Sequence, residues 1–285
     1  MSEVGSGAAS RIYLVQDPKT KQVWALKHVV RDGPKDVRFL EQTEREYQVG
    51  SKLEHDGFRH FEKIIKNRKL MTVNEMYLLM EYVDGVSIEE RPPTNLIDSV
   101  DIFRQVASGL AYMHSRGFIH ADMKPNNVII TAGNKARIID LGQSCPDGTI
   151  KPRIQGTPDY IAPEQVHRRP ITPKTDIYNL GATMYWTLTG THIPTALPKG
   201  DSLVRSLDDE FIEKALPVVE LNSAVPERLN DLVMQCIEVK EEDRPPDMQT
   251  VADRLDLIYA KIKTSHEGAA DVAVSSDDSA AGDGG

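Results

Sequence analysis

The segment His120-Ala121-Asp122-Met123-Lys124-Pro125-Asn126-Asn127 brings a carboxylate, an ammonium group and a carboxamide close together in the chain. Asp122 can accept the proton of a substrate hydroxyl, or orient that hydroxyl, and Lys124 can neutralise negative charge on a transferred phosphoryl group. Asn127 offers a neutral oxygen of the kind that Mg²⁺ binds. The segment therefore predicts a site for phosphoryl transfer.

A second carboxylate follows this segment after a short apolar run. Asp140 comes directly after Ile138 and Ile139, and Gly142 permits a sharp turn behind it. A carboxylate at the end of a strand is well placed to hold a metal ion. We therefore expect the metal ligands to be Asn127 and Asp140.

Small residues near the N-terminus can form a cradle for phosphate oxygens. The run 5–12 lies at a predicted strand-to-strand turn, where small side chains let backbone N–H groups approach a phosphate. A glycine-rich start is more often a flexible end, so this run counts only together with the other segments. Only residues 1–4 precede it, and we expect the first strand to be nearly absent. The candidate cradle residues are Gly5, Ser6, Gly7, Ser10 and Ile12.

A lysine closes the next predicted strand. Period-two alternation over residues 22–27 turns Lys27 inward. A lone lysine of this kind is more often a solvated edge residue. The predicted helix 36–53 offers Glu46 as a partner that would hold the ammonium against phosphates, with Glu41 and Glu44 as competitors.

The run 80–85 predicts an extended segment that ends in a turn. Its backbone groups at Glu81 and Val83 could meet the edge of an adenine base, although an ordinary buried strand would look the same. We expect Met80 to belong to the core in either case. The expected cofactor-binding residues here are Ala25, Met80, Glu81, Val83 and Ile129.

These segments resemble, in order, the motifs of Hanks-type serine/threonine protein kinases, and the style of the sequence is similar to the bacterial members. Residues 120–127 resemble H-R-D-x-K-P-x-N, and residues 138–142 resemble the D-F-G region with Leu141 in place of Phe. Residues 156–164 resemble the end of a kinase activation loop, which shapes a shelf for a peptide. The resemblance covers residues 5–261, and Lys124 is its mark of Ser/Thr specificity.

The resemblance implies ATP and Mg²⁺ as cofactors, with Mn²⁺ as an alternative, and a protein as substrate. It makes His120 a packing residue and predicts three contacts: Thr157 near Asp122 and Lys124, Asp176 with the backbone of the catalytic loop, and Glu164 with Arg244. The implied catalytic residues are Asp122, Lys124, Lys27, Glu46 and Thr157.

Two positions depart from the family pattern. Ala121 replaces the arginine that grips an activation-loop phosphate in many kinases, so we expect activity without loop phosphorylation. Ser144 and Thr149 stay candidates for autophosphorylation. Gly50 stands where kinases place an apolar side chain between the helix and the sheet. We expect helix 36–53 to dock loosely, so that a second copy or an activating partner would seat Glu46.

The distribution of predicted elements gives an α+β fold with two lobes, a small β-rich N-lobe and a larger helical C-lobe. We expect the N-lobe at 1–83, the C-lobe at 84–264 and a disordered acidic tail at 265–285. The tail has five acidic residues and no Lys or Arg. The predicted strands are 11–15, 22–27, 61–66 and 76–82. The predicted helices are 36–53, 96–115, 175–188, 207–215, 226–237 and 248–261.

The composition and charge of the chain argue against several classes of protein. The net charge of −9 over 285 residues gives no reason to expect nucleic-acid binding. No apolar run is long enough to span a membrane, and the start does not resemble a secretory signal, so we expect a cytoplasmic protein. The two cysteines, Cys145 and Cys236, indicate neither a disulfide framework nor a metal cluster. The alternative to an active kinase is a pseudokinase that binds ATP as a scaffold.

Overall fold

The computed structural model describes residues 2–7, 10–69, 71–195, 197 and 212–280. A β-rich part comes first and a helical part follows, as the sequence predicts for the two-lobed α+β class. Among the described residues, no helix combines the length and the apolar character that crossing a membrane requires.

The β-rich part is built on one antiparallel sheet with the strand order β1-β2-β3-β5-β4. Alternation along β3 places Ala25, Lys27 and Val29 on one face, and Ala25 and Val29 are both buried there. The lysine therefore points to the protein interior. The five strands are β1 Ser2–Gly7, β2 Ser10–Gln16, β3 Val23–Val30, β4 Phe61–Lys69 and β5 Thr72–Glu81.

The first strand is longer than the sequence predicts. We expected it to be nearly absent, and this was wrong, because β1 pairs with β2 from Ser2 opposite Leu14 to Gly7 opposite Ser10. The glycine-rich residues themselves form part of the strand, since cross-strand backbone hydrogen bonds need no side chains.

A single long helix, α1 Val37–Gly50, covers one face of this sheet. Its buried residues include Leu40 and Val49, and also Glu46. Leu40 packs with Val29 and Met76 of the sheet, which fixes the helix over β3 and β5.

The helical part contains three long helices, α2, α4 and α7, among the described residues. Asn95 caps α2 by accepting a hydrogen bond from the Asp98 N–H at 2.8 Å. Thr172 caps α4, which ends at Gly190 with a left-handed φ of 71°. The helices are α2 Leu96–Ser115, α3 Pro163–Val166, α4 Pro173–Thr189, α5 Val218–Leu221, α6 Glu227–Cys236 and α7 Met248–Ala280.

Two small sheets position the loops that carry the candidate site. One has the strand order β6-β8-β9 and the other pairs β7 with β10. Residues 120–127 lie between β7 and β8, and residues 139–144 lie between β9 and β10. The strands are β6 Gly85–Ser87, β7 Phe118–Ile119, β8 Val128–Thr131, β9 Lys135–Ile138 and β10 Cys145–Pro146.

Two helix predictions differ from the structure. The helix predicted over 207–215 lies partly outside the described residues, and the described residues 212–215 are not helical. Helix α7 continues to Ala280 and so runs through most of the segment 265–285, for which we expected disorder. Nothing in the sequence ends this helix, because it contains no proline and only one glycine, Gly268.

Candidate functional site

Two side chains, those of Lys124 and Asp122, meet at the hydroxyl of Thr157. Lys124 Nζ donates to Thr157 Oγ1 at 2.9 Å, and Thr157 Oγ1 donates to Asp122 Oδ1 at 3.0 Å. Lys124 Nζ also lies 3.6 Å from Asp122 Oδ2. The predicted contact of Thr157 with both residues is confirmed. The carboxylate of Asp122 is thereby oriented by a neighbouring cation and a hydroxyl.

A buried carboxylate fixes the backbone that carries Asp122. Asp176, near the start of α4, accepts the His120 N–H at 2.8 Å and the Ala121 N–H at 2.7 Å. His114 Nε2 lies 2.7 Å from Asp176 Oδ2. Burial alone would raise the pKa of Asp176, but His114, His120 and the Ala121 N–H outweigh it and hold that pKa below its usual value. The predicted tie between Asp176 and the loop is confirmed.

The same loop contains a strained residue. Ala121 has a φ of 62°, in the left-handed region that non-glycine residues seldom adopt. Gln165 Nε2 donates to the Ala121 carbonyl at 2.8 Å, opposite the bond from its N–H to Asp176. Bonds on both sides of the residue thus hold a conformation that costs about 1–3 kcal/mol. Only Asp176 was predicted from the sequence. Gln165 was missed, although it directly follows a recognised motif.

Burial changes the acidity of the loop side chains. It raises the pKa of Asp122, an effect that Lys124 partly opposes. It also lowers the pKa of His120, whose ring is 1% exposed and whose Nε2 has no hydrogen-bond partner in the part of the chain described. A neutral, packed imidazole agrees with the structural role that we expected for His120.

Asn127 and Asp140 lie on adjacent backbone segments. The Ile139 N–H donates to the Asn127 carbonyl at 3.0 Å, which joins the two segments just before Asp140. Asn127 Nδ2 donates to the Asp122 carbonyl at 2.8 Å, so its Oδ1 is left for another partner. The Asp140 Oδ1 accepts the Gly142 N–H at 2.9 Å.

This pair of oxygen donors fits a hard divalent cation. Burial alone would raise the pKa of Asp140, but Lys27 and the Gly142 N–H keep it below the usual value, so the carboxylate stays charged. In the described ranges, no group of three or more His, Cys, Asp or Glu could hold a metal ion by itself. Mg²⁺ does not need such a group, because one or two protein oxygens and substrate phosphates suffice.

Lys27 meets Glu46 across the sheet and the helix. Lys27 Nζ donates to Glu46 Oε2 at 2.7 Å, and the side chains are 18% and 2% exposed. Burial would lower the pKa of Lys27, but Glu46 and Asp140 raise it overall, which keeps the ammonium charged. Of the three glutamates considered, Glu46 is the one that the structure pairs with Lys27. Glu44 instead pairs with Lys66 on β4.

The remaining candidates surround this pair. In the sheet register, Ile12 lies opposite Gly5 and Lys27, and Ala25 lies opposite Met80. The register thus makes the predicted residues of β1, β2 and β3 neighbours around Ile12, and those of β3 and β5 neighbours at Ala25 and Met80. Of the other cradle residues, Ser6 and Gly7 belong to β1, and Ser10 begins β2 opposite Gly7.

The strand end that was predicted to meet the base has further partners. The Glu81 N–H donates to the His60 carbonyl at 2.9 Å, so only its carbonyl stays a candidate for adenine. Val83 follows the end of β5, and Ile129 lies on β8 opposite Ser87 of β6. The Glu81 carboxylate pairs with Arg137 of β9 at 2.5 Å. Arg137 was missed from the sequence, because its partner lies 56 positions away.

Comparison with known proteins agrees with this geometry. The model of the protein kinase domain matches residues 1–255. The chain belongs to the protein kinase domain family. Its kinase domain therefore includes every residue of the site described above.

Curated relatives of this kinase domain include bacterial and animal proteins. A probable serine/threonine-protein kinase of Clostridium acetobutylicum is 26% identical, over 89% of this chain and 38% of that protein. Serine/threonine-protein kinase PrkC of Bacillus subtilis is 27% identical, over 88% and 40%. Inactive serine/threonine-protein kinase PLK5 of Mus musculus is 32% identical, over 74% and 36%. The chain thus spans less than half the length of each of these relatives.

The packing of helix α1 against the sheet of the kinase domain differs from our expectation. We predicted that Gly50 leaves α1 loosely docked, and this was wrong. A Cβ on Gly50 would lie 2.2 Å from Cδ2 of Phe61, whose ring occupies the space beside the helix. The apolar bridge between helix and sheet is therefore supplied from β4 rather than from α1.

The predicted ion pair of the kinase C-lobe is confirmed. Arg244 donates from Nη1 and Nη2 to the Glu164 carboxylate at 2.9 and 3.0 Å, and both residues are at most 2% exposed. The guanidinium also donates to the Lys174, Glu238 and Val239 carbonyls, so its charge is fully hydrogen-bonded.

The two candidate phosphorylation sites differ in accessibility. Ser144 is 0% exposed and its hydroxyl lies 3.5 Å from the His120 carbonyl, so it is not accessible as an autophosphorylation site in this conformation. Sequence alone could not exclude it, because the burial comes from the distant catalytic loop. Thr149 is partly exposed and its hydroxyl donates to the Pro146 carbonyl at 2.6 Å.

Proposed function

We propose that the chain is a serine/threonine protein kinase that transfers the γ-phosphate of ATP to Ser and Thr hydroxyls of protein substrates. The observation that carries this proposal is the Lys124–Thr157–Asp122 chain of hydrogen bonds, at 2.9 and 3.0 Å. It places a carboxylate and a cation side by side, which suits phosphoryl transfer to a hydroxyl.

In this proposal Asp122 orients the acceptor hydroxyl and takes its proton. Burial supports the role, because a raised pKa makes the carboxylate a stronger base than an ordinary aspartate. Lys124 offsets the negative charge that builds on the transferred group. Thr157 keeps both side chains in position through its hydroxyl.

The phosphates would be held from two sides. Lys27, seated by Glu46, would face the α- and β-phosphates, and the backbone of Gly5, Ser6, Gly7 and Ser10 would cover them from β1 and β2. Asn127 and Asp140 would hold Mg²⁺, or Mn²⁺ in its place, and the metal supplies charge neutralisation at the β- and γ-phosphates. Ala25, Met80, Glu81, Val83 and Ile129 would surround the adenine.

The decisive experiment compares the wild type with Asp122→Asn in transfer from radiolabelled Mg-ATP to a basic protein such as histone. We expect the variant to lose about 1,000-fold in rate, since it cannot take the proton. Phosphoamino-acid analysis should find phosphoserine and phosphothreonine. Asp231→Asn, on the exposed surface of α6, is the matched control and should keep full activity.

The runner-up is the pseudokinase scaffold, which the relationship to an inactive mouse kinase favours. Binding of ATP without transfer by the wild type would support the scaffold and contradict our proposal. Addition of EDTA should abolish transfer and excess Mg²⁺ should restore it; metal-independent transfer would contradict the roles of Asn127 and Asp140.

The extent and the surroundings of the enzyme are further parts of this proposal. We assign the N-lobe to 1–83, the C-lobe to 84–264 and the acidic tail to 265–285, and we place the enzyme in the cytoplasm. A partner at helix 36–53 stays a prediction, although the loose packing at Gly50 that motivated it is replaced by the Phe61 contact.

A further inference from the structure

The residue that replaces the family arginine lies in a small apolar cluster. Ala121 is 0% exposed and packs with Ile119, Cys145 and Ile171. These residues come from β7, the catalytic loop, β10 and the turn before α4. The methyl group of Ala121 cannot hold the activation segment electrostatically, so another group must do this if the segment is fixed.

A buried lysine lies in the chain between Asp140 and Glu164, which we call the activation segment. Lys151 is 6% exposed, and its Nζ donates to the Gln143 carbonyl at 2.6 Å. Gln143 stands three positions after the candidate metal ligand Asp140. Lysine side chains are seldom buried, because removing an ammonium group from water costs free energy. A buried lysine therefore indicates a structural or functional role for its charge.

Backbone pairing ties the chain just before Lys151 to the Ala121 cluster. Cys145 pairs with Ile119, the residue directly before His120. Thr149 forms an isolated antiparallel bridge with Ile171, and the Gly148 N–H donates to the Ile171 carbonyl at 2.8 Å. Cys145 therefore fixes the chain before residues 146–148, and the partners of Ile171 fix it after them. Lys151 follows two positions after Thr149.

Two carboxylates of the catalytic site act on the charge of Lys151. Burial is the main effect and lowers the pKa of Lys151, whereas the carboxylates of Asp122 and Asp176 oppose this shift. Asp122 belongs to the catalytic loop, and Asp176 accepts hydrogen bonds from the backbone of that loop. The ammonium group is therefore attracted to both carboxylates.

We propose that Lys151 is the positioning residue that fixes the activation segment onto the catalytic loop, in the place of the arginine that Ala121 lacks. Its hydrogen bond to the Gln143 carbonyl closes residues 143–151 into one compact unit against β7. Lys151 is thus part of the activation segment itself, and it can fix the segment without a phosphorylated residue. This inference deepens the proposed function and rests on it.

The test uses Lys151→Met, which removes the donor and the charge, and Lys151→Arg, which keeps both. With histone and Mg-ATP, we expect Lys151→Met to lower kcat about 30-fold with KM for ATP within about twofold, because it misplaces catalytic groups without touching the nucleotide. Lys151→Arg should recover most of the kcat. Lys135→Met, on the exposed end of β9, is the control and should behave as wild type.

Hydrogen–deuterium exchange provides a readout that does not depend on activity. Residues 143–155 should exchange faster in Lys151→Met, and Lys151→Arg should restore their protection. If the wild type transfers no phosphate but this exchange pattern appears, the proposed function fails and the role of Lys151 in fixing the segment stands. Unchanged exchange in Lys151→Met would overturn the inference, as would a kcat within about twofold of wild type.

A second pair of variants keeps the inference testable if Lys151→Met by itself does not fold. Ala121→Arg should lower kcat, because two cations would then crowd one buried place, and Ala121→Arg with Lys151→Met should regain activity over either single variant. Additive losses in the double variant would overturn the inference.

Discussion

The catalytic loop and the Lys27–Glu46 pair belong to the same site, but they are held in different ways. Asp176 and Gln165 hold both backbone groups of Ala121. Lys27 reaches its partner through a single bond of 2.7 Å, and its side chain is 18% exposed. The loop is therefore held by several buried hydrogen bonds, and the cation of the β-rich part by one ion pair.

Because of this difference, we expect the loop anchor to matter most for stability and Lys27 to matter most for activity. When a buried polar group with several partners is removed, those partners stay buried without hydrogen bonds, and this destabilises the fold. Loss of the Lys27 cation removes one interaction with the substrate and one with Glu46, and it leaves most of the packing intact. We therefore expect variants of the loop anchor to unfold the protein and variants of Lys27 to disable it while it stays folded.

The largest effect should come from Asp176→Asn. Asn keeps one acceptor oxygen, and its NH₂ cannot accept a hydrogen bond, so either the His120 N–H or the Ala121 N–H loses its partner. The charge that pairs with His114 is lost as well, so we expect a loss of about 3–5 kcal/mol in the free energy of unfolding. Urea denaturation followed by circular dichroism measures it. Asp231→Asn, exposed on α6, should change the same quantity by less than about 0.5 kcal/mol. Equal effects of the two substitutions would refute the anchoring role.

The next effect concerns Lys27→Met. We expect kcat/KM for ATP to fall about 100-fold, because a cation at the phosphates is lost. The free energy of unfolding should fall by about 2 kcal/mol, less than for Asp176→Asn, because burial raises the pKa of Glu46 and its carboxyl group can take up a proton once Lys27 is gone. Lys63→Met, exposed on β4, serves as the control in both assays. A large loss of stability with normal kinetics would reverse the comparison.

A smaller effect is expected for Gly50→Leu. Its side chain would collide with the Phe61 ring, so we expect a loss of about 1–3 kcal/mol in the free energy of unfolding. The double variant Gly50→Leu with Phe61→Ala moves the apolar bridge back to α1 and should recover part of the loss. If the double variant is no more stable than Gly50→Leu, the two residues do not share one space.

The finest test is the pH dependence of kcat. Since burial raises the pKa of Asp122, its carboxylate takes up a proton at a higher pH than an ordinary aspartate, whose pKa is 3.8. The acid limb of kcat should therefore lie above that value. Lys124→Met removes the cation that opposes the shift, so the acid limb of its residual activity should move to still higher pH. A shift to lower pH would contradict this assignment.

Much of the site could be predicted because local sequence carries it. The bounds of α2, Leu96–Ser115, follow from helical spacing, and alternation along β3 turned Lys27 inward. The family resemblance then paired Lys27 with Glu46 and Glu164 with Arg244, and both contacts are present. The roles of these residues in catalysis stay predictions until the variants are measured.

Other features depended on partners far away in the chain. The packing of Phe61 against Gly50, and the burial of Ser144 under the catalytic loop, leave no periodic signal. The sequence by itself determined the order of strands and helices and the chemistry of the motifs, because both are written in neighbouring residues. The tertiary structure alone decided that Ala121 is strained and that Lys151 is buried, since both depend on elements that meet only after folding.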